Sequence, residues 1–127
     1  MDFKSFLQMA NFEKDHWWFF GRRNIIKYFL DKFKLNMKAK ILEIGCGTGS
    51  NLELLSKYGK VSALEPSKDA FIYLNKKNLM NIDLRKGTCP ADLKYKEKFD
   101  LICLFDVLEH IEEDQHSINK IIDILKP

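Results

Sequence analysis

The chain has 127 residues and a mass of 15.0 kDa, with 46% hydrophobic and 31% charged residues. This length and composition fit one globular domain and exclude a second domain, a solenoid and a disordered chain. The net charge of +3, from 21 basic and 18 acidic residues, is too mild to predict a nucleic-acid-binding protein. No apolar run approaches the roughly 18 residues that predict a membrane span.

The N-terminus and the cysteines bear on the cellular compartment. The segment Met1–Lys4 lacks the apolar core of a signal peptide. Cys46, Cys89 and Cys103 are odd in number, widely spaced and without a CxxC pair, so they predict reduced thiols rather than disulfides or zinc ligands. Together these features predict a cytoplasmic protein.

Two amphipathic helices are predicted at the start of the chain. Apolar residues recur at helical spacing over residues 3–14, and Asp2 is placed to cap that helix. After the aromatic run His16–Phe20 a second stripe predicts another helix, with Ile25, Ile26, Phe29, Leu30 and Phe33 on its apolar face. Residues 1–38 are therefore expected to form an N-terminal helical cap, ahead of a core that spans residues 39–127.

In the rest of the chain, short apolar runs alternate with helical segments. The predicted strands are 40–44, 61–65, 82–85 and 99–105. The predicted helices are 51–58, ended by Gly59, then one capped by Ser67, and one from about Glu112 with Ile118, Ile121, Ile122 and Leu125 on one side. This alternation predicts an α/β fold, a Rossmann-like and mostly parallel sheet with helices on both faces.

A glycine-rich turn joins the first strand to the following helix. In the segment Glu43-Ile44-Gly45-Cys46-Gly47-Thr48-Gly49-Ser50, three glycines permit positive φ and a close approach of the backbone to a ligand. A plain turn needs only one glycine. The turn therefore predicts a nucleotide-type ligand at the carboxyl edge of the sheet.

The acidic residues around this turn bear on which nucleotide binds. Glu65 ends the second strand 20 residues after Gly45, where a carboxylate can accept hydrogen bonds from ribose hydroxyls. The dinucleotide pattern G-x-G-x-x-G would need glycine at Ser50. Glu43 is unfavourable beside a pyrophosphate but suits the positively charged S-adenosylmethionine. An NAD(P)-dependent oxidoreductase stays the alternative.

Three successive motifs resemble those of the class I S-adenosylmethionine-dependent methyltransferases of small-molecule type. They are Leu42–Gly49, Leu64–Ser67, and Phe99–Ile102 followed by Asp106–Ile111. The segment Glu13–Arg23 is similar to the N-terminal cap helices of many bacterial small-molecule members.

The resemblance implies roles for individual residues. Gly45, Gly47 and Gly49, with Cys46 and Thr48 between them, would wrap the amino-acid part and sugar of the cofactor, and Glu43 would face its amino end. Glu65, followed by Pro66, would hold the ribose diol. Phe105 and Asp106 would line the cofactor beside the reacting methyl group. Thr88 stands where the family often has an acid that binds adenine.

The resemblance implies methyl transfer to a small-molecule acceptor, in which proximity and alignment supply most of the catalysis. His110 and His16 are the weak candidates for a base. Asp106, Glu109 and His110 are also similar to an acid-x-x-Glu-His arrangement in some metal-binding quinone-type O-methyltransferases, but no metal is expected. Neither nucleic acid nor membrane is an expected partner.

The C-terminal residues Ile124–Pro127 lie where family members continue into a fifth strand and a closing antiparallel pair. We therefore expect the C-terminal strands to be missing and residues 99–105 to form an exposed apolar edge through which the chain self-associates. A non-catalytic cofactor-binding or assembly module is a further alternative.

Overall fold

The computed structural model describes residues 2–79 and 81–127. Five α-helices and four β-strands follow the predicted alternation. The helices are α1 Phe3–Asp15, α2 Trp17–Phe33, α3 Leu52–Ser56, α4 Lys68–Lys76 and α5 Asp114–Ile124. The strands are β1 Lys40–Ile44, β2 Lys60–Glu65, β3 Asp83–Lys86 and β4 Leu101–Cys103. A 3₁₀ turn at Leu108–His110 precedes α5.

The four strands form one parallel sheet in the order β3-β2-β1-β4. Ile41 lies opposite Val61 of β2 on one side and Leu101 of β4 on the other. The parallel crossovers confirm the predicted Rossmann-like α/β fold. They also bring the carboxyl ends of β1, β2 and β4 to one edge of the sheet.

Apolar side chains on both faces of the sheet make the core. Because successive strand residues point to opposite faces, Ile41 packs with Leu52, Leu55 and Leu74 beneath α3 and α4. On the other face, a second cluster packs beneath α5: Leu42, Ile44, Leu64, Leu93, Tyr95, Phe99 and Ile124. Burial on both faces explains the nearly continuous apolar sequence of the central strands.

The two N-terminal helices meet at His16, which differs from the prediction. Asp2 caps α1 as predicted, since its Oδ1 accepts a hydrogen bond from Ser5 N at 2.8 Å. The prediction that α2 follows the aromatic run is wrong, because α2 begins at Trp17. His16 caps it by accepting a hydrogen bond at Nδ1 from Trp18 N at 3.3 Å.

The predicted apolar stripe of α2 is only partly buried. Leu30 is buried and Ile26 packs against the core, but Ile25, Phe29 and Phe33 are 61%, 53% and 54% exposed. The grouping of residues 1–38 as a cap separate from residues 39–127 stays a prediction.

Two further helices differ in detail from the prediction. The helix α3 ends at Ser56, so Gly59 does not terminate it as predicted. A Cβ at Gly59 would lie 2.4 Å from Ala39 O, so glycine is needed there because the two backbone segments approach closely. The helix α5 buries Ser117 and Ile124, while Ile122 is 59% exposed.

The fourth strand is shorter than the predicted range 99–105, and it lies at one edge of the sheet. Outside that strand, Phe99 forms a parallel bridge with Leu125: Phe99 N donates to Ile124 O at 2.8 Å, and Lys126 N donates to Phe99 O at 2.9 Å. The segment after α5 thus pairs with the chain two residues before β4 begins.

Within residues 2–79 and 81–127, no helix is both long and apolar enough to cross a membrane. The predicted cytoplasmic location stays a prediction.

Candidate functional site

The glycine turn has the backbone conformation that the sequence predicts. Gly45, Gly47 and Gly49 have φ of 74°, 53° and 74°. A Cβ at Gly45 would lie 2.7 Å from Val107 Cγ2, and one at Gly49 would lie 2.5 Å from Leu74 Cδ2. At Gly47 a Cβ would meet no atom within 4 Å. The turn is therefore packed tightly at both ends and open in the middle, where a ligand can approach the backbone.

Glu65 binds the glycine turn from the end of β2. Its Oε2 accepts a hydrogen bond from Gly47 N at 2.7 Å, and its Oε1 accepts one from Ser67 N at 2.9 Å. The side chain is buried. Each carboxylate oxygen can accept a second hydrogen bond, so Glu65 retains acceptor capacity for hydroxyl groups.

Glu43 holds a buried carboxyl group directly beneath the turn. The residue is 2% exposed, and its Oε2 has no hydrogen-bond partner among the described residues. The pKa of Glu43 is raised to about 8, mainly because burial disfavours the charged form; the Asn51 side chain and the Arg22 charge oppose the shift, and the negative charge of Glu65 adds to it. A buried acceptor without a partner is costly in an isolated protein, which points to a cationic or hydrogen-bond-donating ligand.

A cavity of about 500 Å³, here called the glycine-turn cavity, opens at the carboxyl edge of the sheet. It is lined by residues from the ends of β1, β2 and β3 and from the segment after β4. They are Ile44, Gly45, Leu64, Glu65, Pro66, Gly87, Thr88, Cys89, Pro90, Asp106, Val107, His110, Ile111, Glu112 and Glu113. Six of the predicted site residues thus line one cavity: Gly45, Glu65, Pro66, Thr88, Asp106 and His110.

The other predicted residues lie around or away from this cavity. Glu43, Cys46, Gly47, Gly49 and Phe105 support the turn and strands beside it without lining it. The Thr48 side chain is directed instead towards α1, where its hydroxyl contacts Glu13. His16 caps α2 and stacks on Trp17 with ring centroids 5.6 Å apart, so it is not brought to the cavity.

Thr88 is tied to the turn after β3. Its N and Oγ1 donate to Asp92 Oδ2 at 2.7 and 3.1 Å. These hydrogen bonds hold the pKa of Asp92 below its usual value. The Thr88 hydroxyl uses its one donor on Asp92 and keeps its capacity to accept a hydrogen bond.

Two residues of the N-terminal helices contact the site, and neither contact is predicted from the sequence. Arg22 pairs with Asp106, Nη1 to Oδ2 at 2.6 Å, and its guanidinium carbon lies 5.9 Å from the centre of the Phe105 ring. Asp106 has φ of 55°, an unusual value for a residue other than glycine. Arg22 thus places a positive charge beside the loop that follows β4.

The second missed residue is Glu13 of α1. The Thr48 hydroxyl donates to Glu13 Oε2 in a short hydrogen bond, and both residues are buried. The backbone carbonyl of Glu13 also accepts a hydrogen bond from Arg23 Nη1 at 3.5 Å. In the sequence, this contact is indicated only by the position of Glu13 as the first residue of the segment Glu13–Arg23, which is similar to cap helices.

The three cysteines form no disulfide in the structure, and their reduced state stays a prediction. Cys46, Cys89 and Cys103 are all free, and burial raises the pKa of the Cys103 thiol to about 12. Among the residues that the structure describes, no group of three or more His, Cys, Asp or Glu side chains is arranged to hold a metal ion.

Comparison with curated proteins finds relatives among enzymes of quinone biosynthesis. The chain is 35% identical over 92 residues to a ubiquinone biosynthesis O-methyltransferase of Bartonella tribocorum, covering 69% of this chain and 37% of the relative. It is 34% identical over 113 residues to one of Pelagibacter ubique, covering 83% of this chain and 46% of the relative. The chain therefore spans less than half the length of these relatives.

Solved structures share the fold at lower identity. A putative S-adenosyl-L-methionine-dependent methyltransferase from Methanococcus maripaludis superposes with a TM-score of 0.77 at 23% identity, covering 98% of this chain and 59% of that one. An amino pentose methyltransferase from Micromonospora echinaspora gives a TM-score of 0.72 at 20% identity, covering 95% of this chain and 52% of that one. Both likenesses support the Rossmann-like fold.

The family assignment follows from the match to a protein family. The family described as "Methyltransferase domain" matches residues 41–127, which include the glycine turn, Glu65 and the segment after β4. This match confirms the methyltransferase resemblance that the three motifs predicted. The chain belongs to the methyltransferase-domain family.

Proposed function

We propose that the glycine-turn cavity binds S-adenosylmethionine and that the protein transfers its methyl group to a small-molecule acceptor. The observation that carries this proposal is the buried Glu43 carboxyl group with its unpartnered Oε2 beneath an open glycine turn. A ligand with an ammonium group and a sulfonium, and without phosphate, complements that carboxyl group.

The residues around the cavity fit the rest of this cofactor. Glu65 would accept hydrogen bonds from the ribose diol in addition to those from Gly47 and Ser67. Leu64, Val107 and Ile111 supply apolar walls for a flat base. Arg22 is placed to neutralise the cofactor carboxylate, since its charge already reaches Glu43 and Asp106.

A nicotinamide dinucleotide fits less well. Its pyrophosphate would lie against the turn above the buried Glu43 carboxyl group, which supplies no positive charge to offset the cost of burying the pyrophosphate. The position of the third glycine in the dinucleotide pattern is Ser50.

We further propose that the acceptor atom is a hydroxyl oxygen. The curated relatives named above are O-methyltransferases, which supports this choice. When bound, the cofactor supplies an electrophilic methyl group on a good leaving group. The chain itself must hold the acceptor in line and remove its proton, and His110, exposed at the rim of the cavity, is the residue placed to accept it.

The first test is calorimetric titration of the protein with S-adenosylhomocysteine and, separately, with NAD. We expect S-adenosylhomocysteine to bind with one-to-one stoichiometry and NAD not to bind. A Gly47→Val variant should lose that binding, because its side chain would occupy the open space beside the turn. Its circular dichroism spectrum is the control for folding, since a β-branched residue at a φ of 53° is strained. Binding of NAD alone, or full affinity in Gly47→Val, would contradict the proposal.

A further inference from the structure

A second cavity, of about 540 Å³, lies between the four helices α1, α2, α3 and α4. We name it the basic cavity after its lining cations, which are Lys14, Arg23, Lys27, Lys57 and Lys77. We propose that it binds a small phosphorylated anion that carries at least two negative charges. Its size lies within the roughly 300–1,000 Å³ of ordinary small-molecule sites.

The lining carries an excess of positive charge that the protein does not neutralise. Only two acidic residues, Glu13 and Glu53, face the five cations. The Glu13 carboxylate already accepts the hydroxyl of Thr48. Among residues 2–79 and 81–127, Lys27 is the one lining cation with a carboxylate within 4.0 Å, its partner being Asp31 at 2.8 Å. The other four are available to an anion.

Arg23 supplies hydrogen-bond donors of fixed geometry to the basic cavity. Its side chain is half-buried, and its one hydrogen bond in the described chain is a long one of 3.5 Å to the backbone carbonyl of Glu13. A guanidinium group in this state can turn two parallel N–H groups towards a phosphate. Asn24, Ser50 and Tyr73 add neutral donors to the same lining.

The concave shape is the reason to prefer a binding site over a solvated lysine surface. Cations from α1 and α2, and from the residues that directly follow α3 and α4, converge on one space, and the low-dielectric walls around that space concentrate their field. On a convex surface the same lysines would be spread apart and screened by salt over about 10 Å.

The basic cavity is separate from the proposed cofactor site. The linings of the two cavities share no residue. Of the glycine turn and its neighbours, Thr48 and Ser50 line the basic cavity, whereas Gly45 and Glu65 line the glycine-turn cavity. The inference therefore goes beyond the proposed function, and it is tested without any cofactor.

The test is calorimetric titration of the 127-residue chain with inorganic pyrophosphate at physiological ionic strength. The double variant Lys57→Gln/Lys77→Gln removes two exposed cations of the cavity. Its matched control, Lys60→Gln/Lys96→Gln, removes two exposed lysines outside it. We expect the first variant to weaken binding at least about tenfold, since charge-assisted hydrogen bonds are lost, and the control to stay within about twofold.

A second variant keeps the positive charge at Arg23 and tests whether its two parallel N–H groups contact the phosphate. Arg23→Lys should weaken binding severalfold, because an ammonium group cannot make the bidentate contact. Amide chemical shifts should move at Ala10, Asn24 and Leu54, which line the basic cavity, and stay unchanged at Gly45.

Phosphate groups also occur on lipids, so a competition experiment identifies the source. Displacement of pyrophosphate by phosphatidic acid vesicles, whose phosphomonoester can carry two negative charges, and not by phosphatidylcholine vesicles, would assign a lipid headgroup. No displacement by either would assign a free phosphorylated compound. The proposal is overturned by absence of saturable binding, by equal weakening in both double variants, or by shifts confined to the glycine-turn cavity.

Discussion

At the scale of single residues, Glu43 is a buried carboxyl group whose Oε2 has no hydrogen-bond partner among the described residues. Its folded pKa of about 8 lies above the ordinary 4.5, because burial disfavours the charged form. The protonated form therefore dominates in the free protein at pH 7. A carboxyl group in this state can release its proton when a cation arrives beside it.

The first prediction follows from that protonation state. Binding of S-adenosylhomocysteine at pH 7 should release close to one proton, because the ligand ammonium group favours the carboxylate of Glu43. The release is measured as the dependence of the calorimetric enthalpy on the ionisation enthalpy of the buffer.

The matched variant Glu43→Gln should bind without releasing a proton. It should also flatten the pH dependence of stability. The raised pKa of Glu43 stabilises the fold below pH 4.5, and this contribution is lost as the pH rises towards 8. An unchanged proton release in Glu43→Gln would show that another group titrates.

The glycines of the turn allow a second prediction at this scale. Gly49→Ala should lower the free energy of unfolding by about 2–4 kcal/mol, because it adds the strain of positive φ to a clash with the buried Leu74. Gly47→Ala should cost only about 1–2 kcal/mol, since its Cβ enters open space.

Gly21, in the second turn of α2, is the control for these substitutions. Its Cβ would meet nothing within 4 Å and its φ is not positive, so Gly21→Ala should stabilise the protein by about 0.5–1 kcal/mol. Urea unfolding measures all three variants. Equal costs at Gly47 and Gly49 would contradict the packing described for the turn.

At the scale of elements, the helix α1 is tied to the glycine turn through Glu13 and Thr48. The hydrogen bond between them joins two buried side chains that are 35 residues apart in the sequence. Removing the hydroxyl leaves a buried carboxylate without its partner, which costs roughly 1–3 kcal/mol. The N-terminal helices thus help to hold the shape of the turn.

The third prediction tests this link. Thr48→Val should destabilise the protein and weaken S-adenosylhomocysteine binding, whereas Thr48→Ser, which keeps the hydroxyl, should do neither. In a double-mutant cycle, Glu13→Gln combined with Thr48→Val should cost less than the sum of the single changes. Strict additivity in the cycle would show that the two residues act independently.

At the scale of the whole molecule, β4 lies at an edge of the sheet. Among the described residues, the one further strand pairing near β4 is the isolated bridge between Phe99 and Leu125. The strand contains two half-buried apolar residues, Leu101 and Ile102, and a third, Leu104, directly follows it. An apolar edge of this kind pairs readily with another chain.

The fourth prediction is that the 127-residue chain self-associates through this edge. Light scattering should show a mass that rises with protein concentration. Leu104→Lys should suppress the rise, because a charge at a strand edge opposes pairing, and Ile122→Lys on α5 should not. A constant monomer mass over the whole concentration range would contradict the prediction.

Much of the fold and part of the site follow from local sequence. The apolar runs at Ile41 and Val61, the three glycines and the carboxylate of Glu65 each depend on the preferences of a short segment, and such preferences are readable residue by residue. Because parallel strands end at one edge, the clustering of Gly45, Glu65 and Asp106 also follows from the order of the elements.

The tertiary structure decided the contacts between distant segments and the exposure of each helix face. Arg22 meets Asp106, and Glu13 meets Thr48, only because α1 and α2 pack against the turn. The exposed side chains of Ile25 and Phe29 follow an apolar pattern that predicts burial, yet no described element covers them. A periodic pattern determines which residues share a face, whereas the partner of that face depends on the packing of the whole chain.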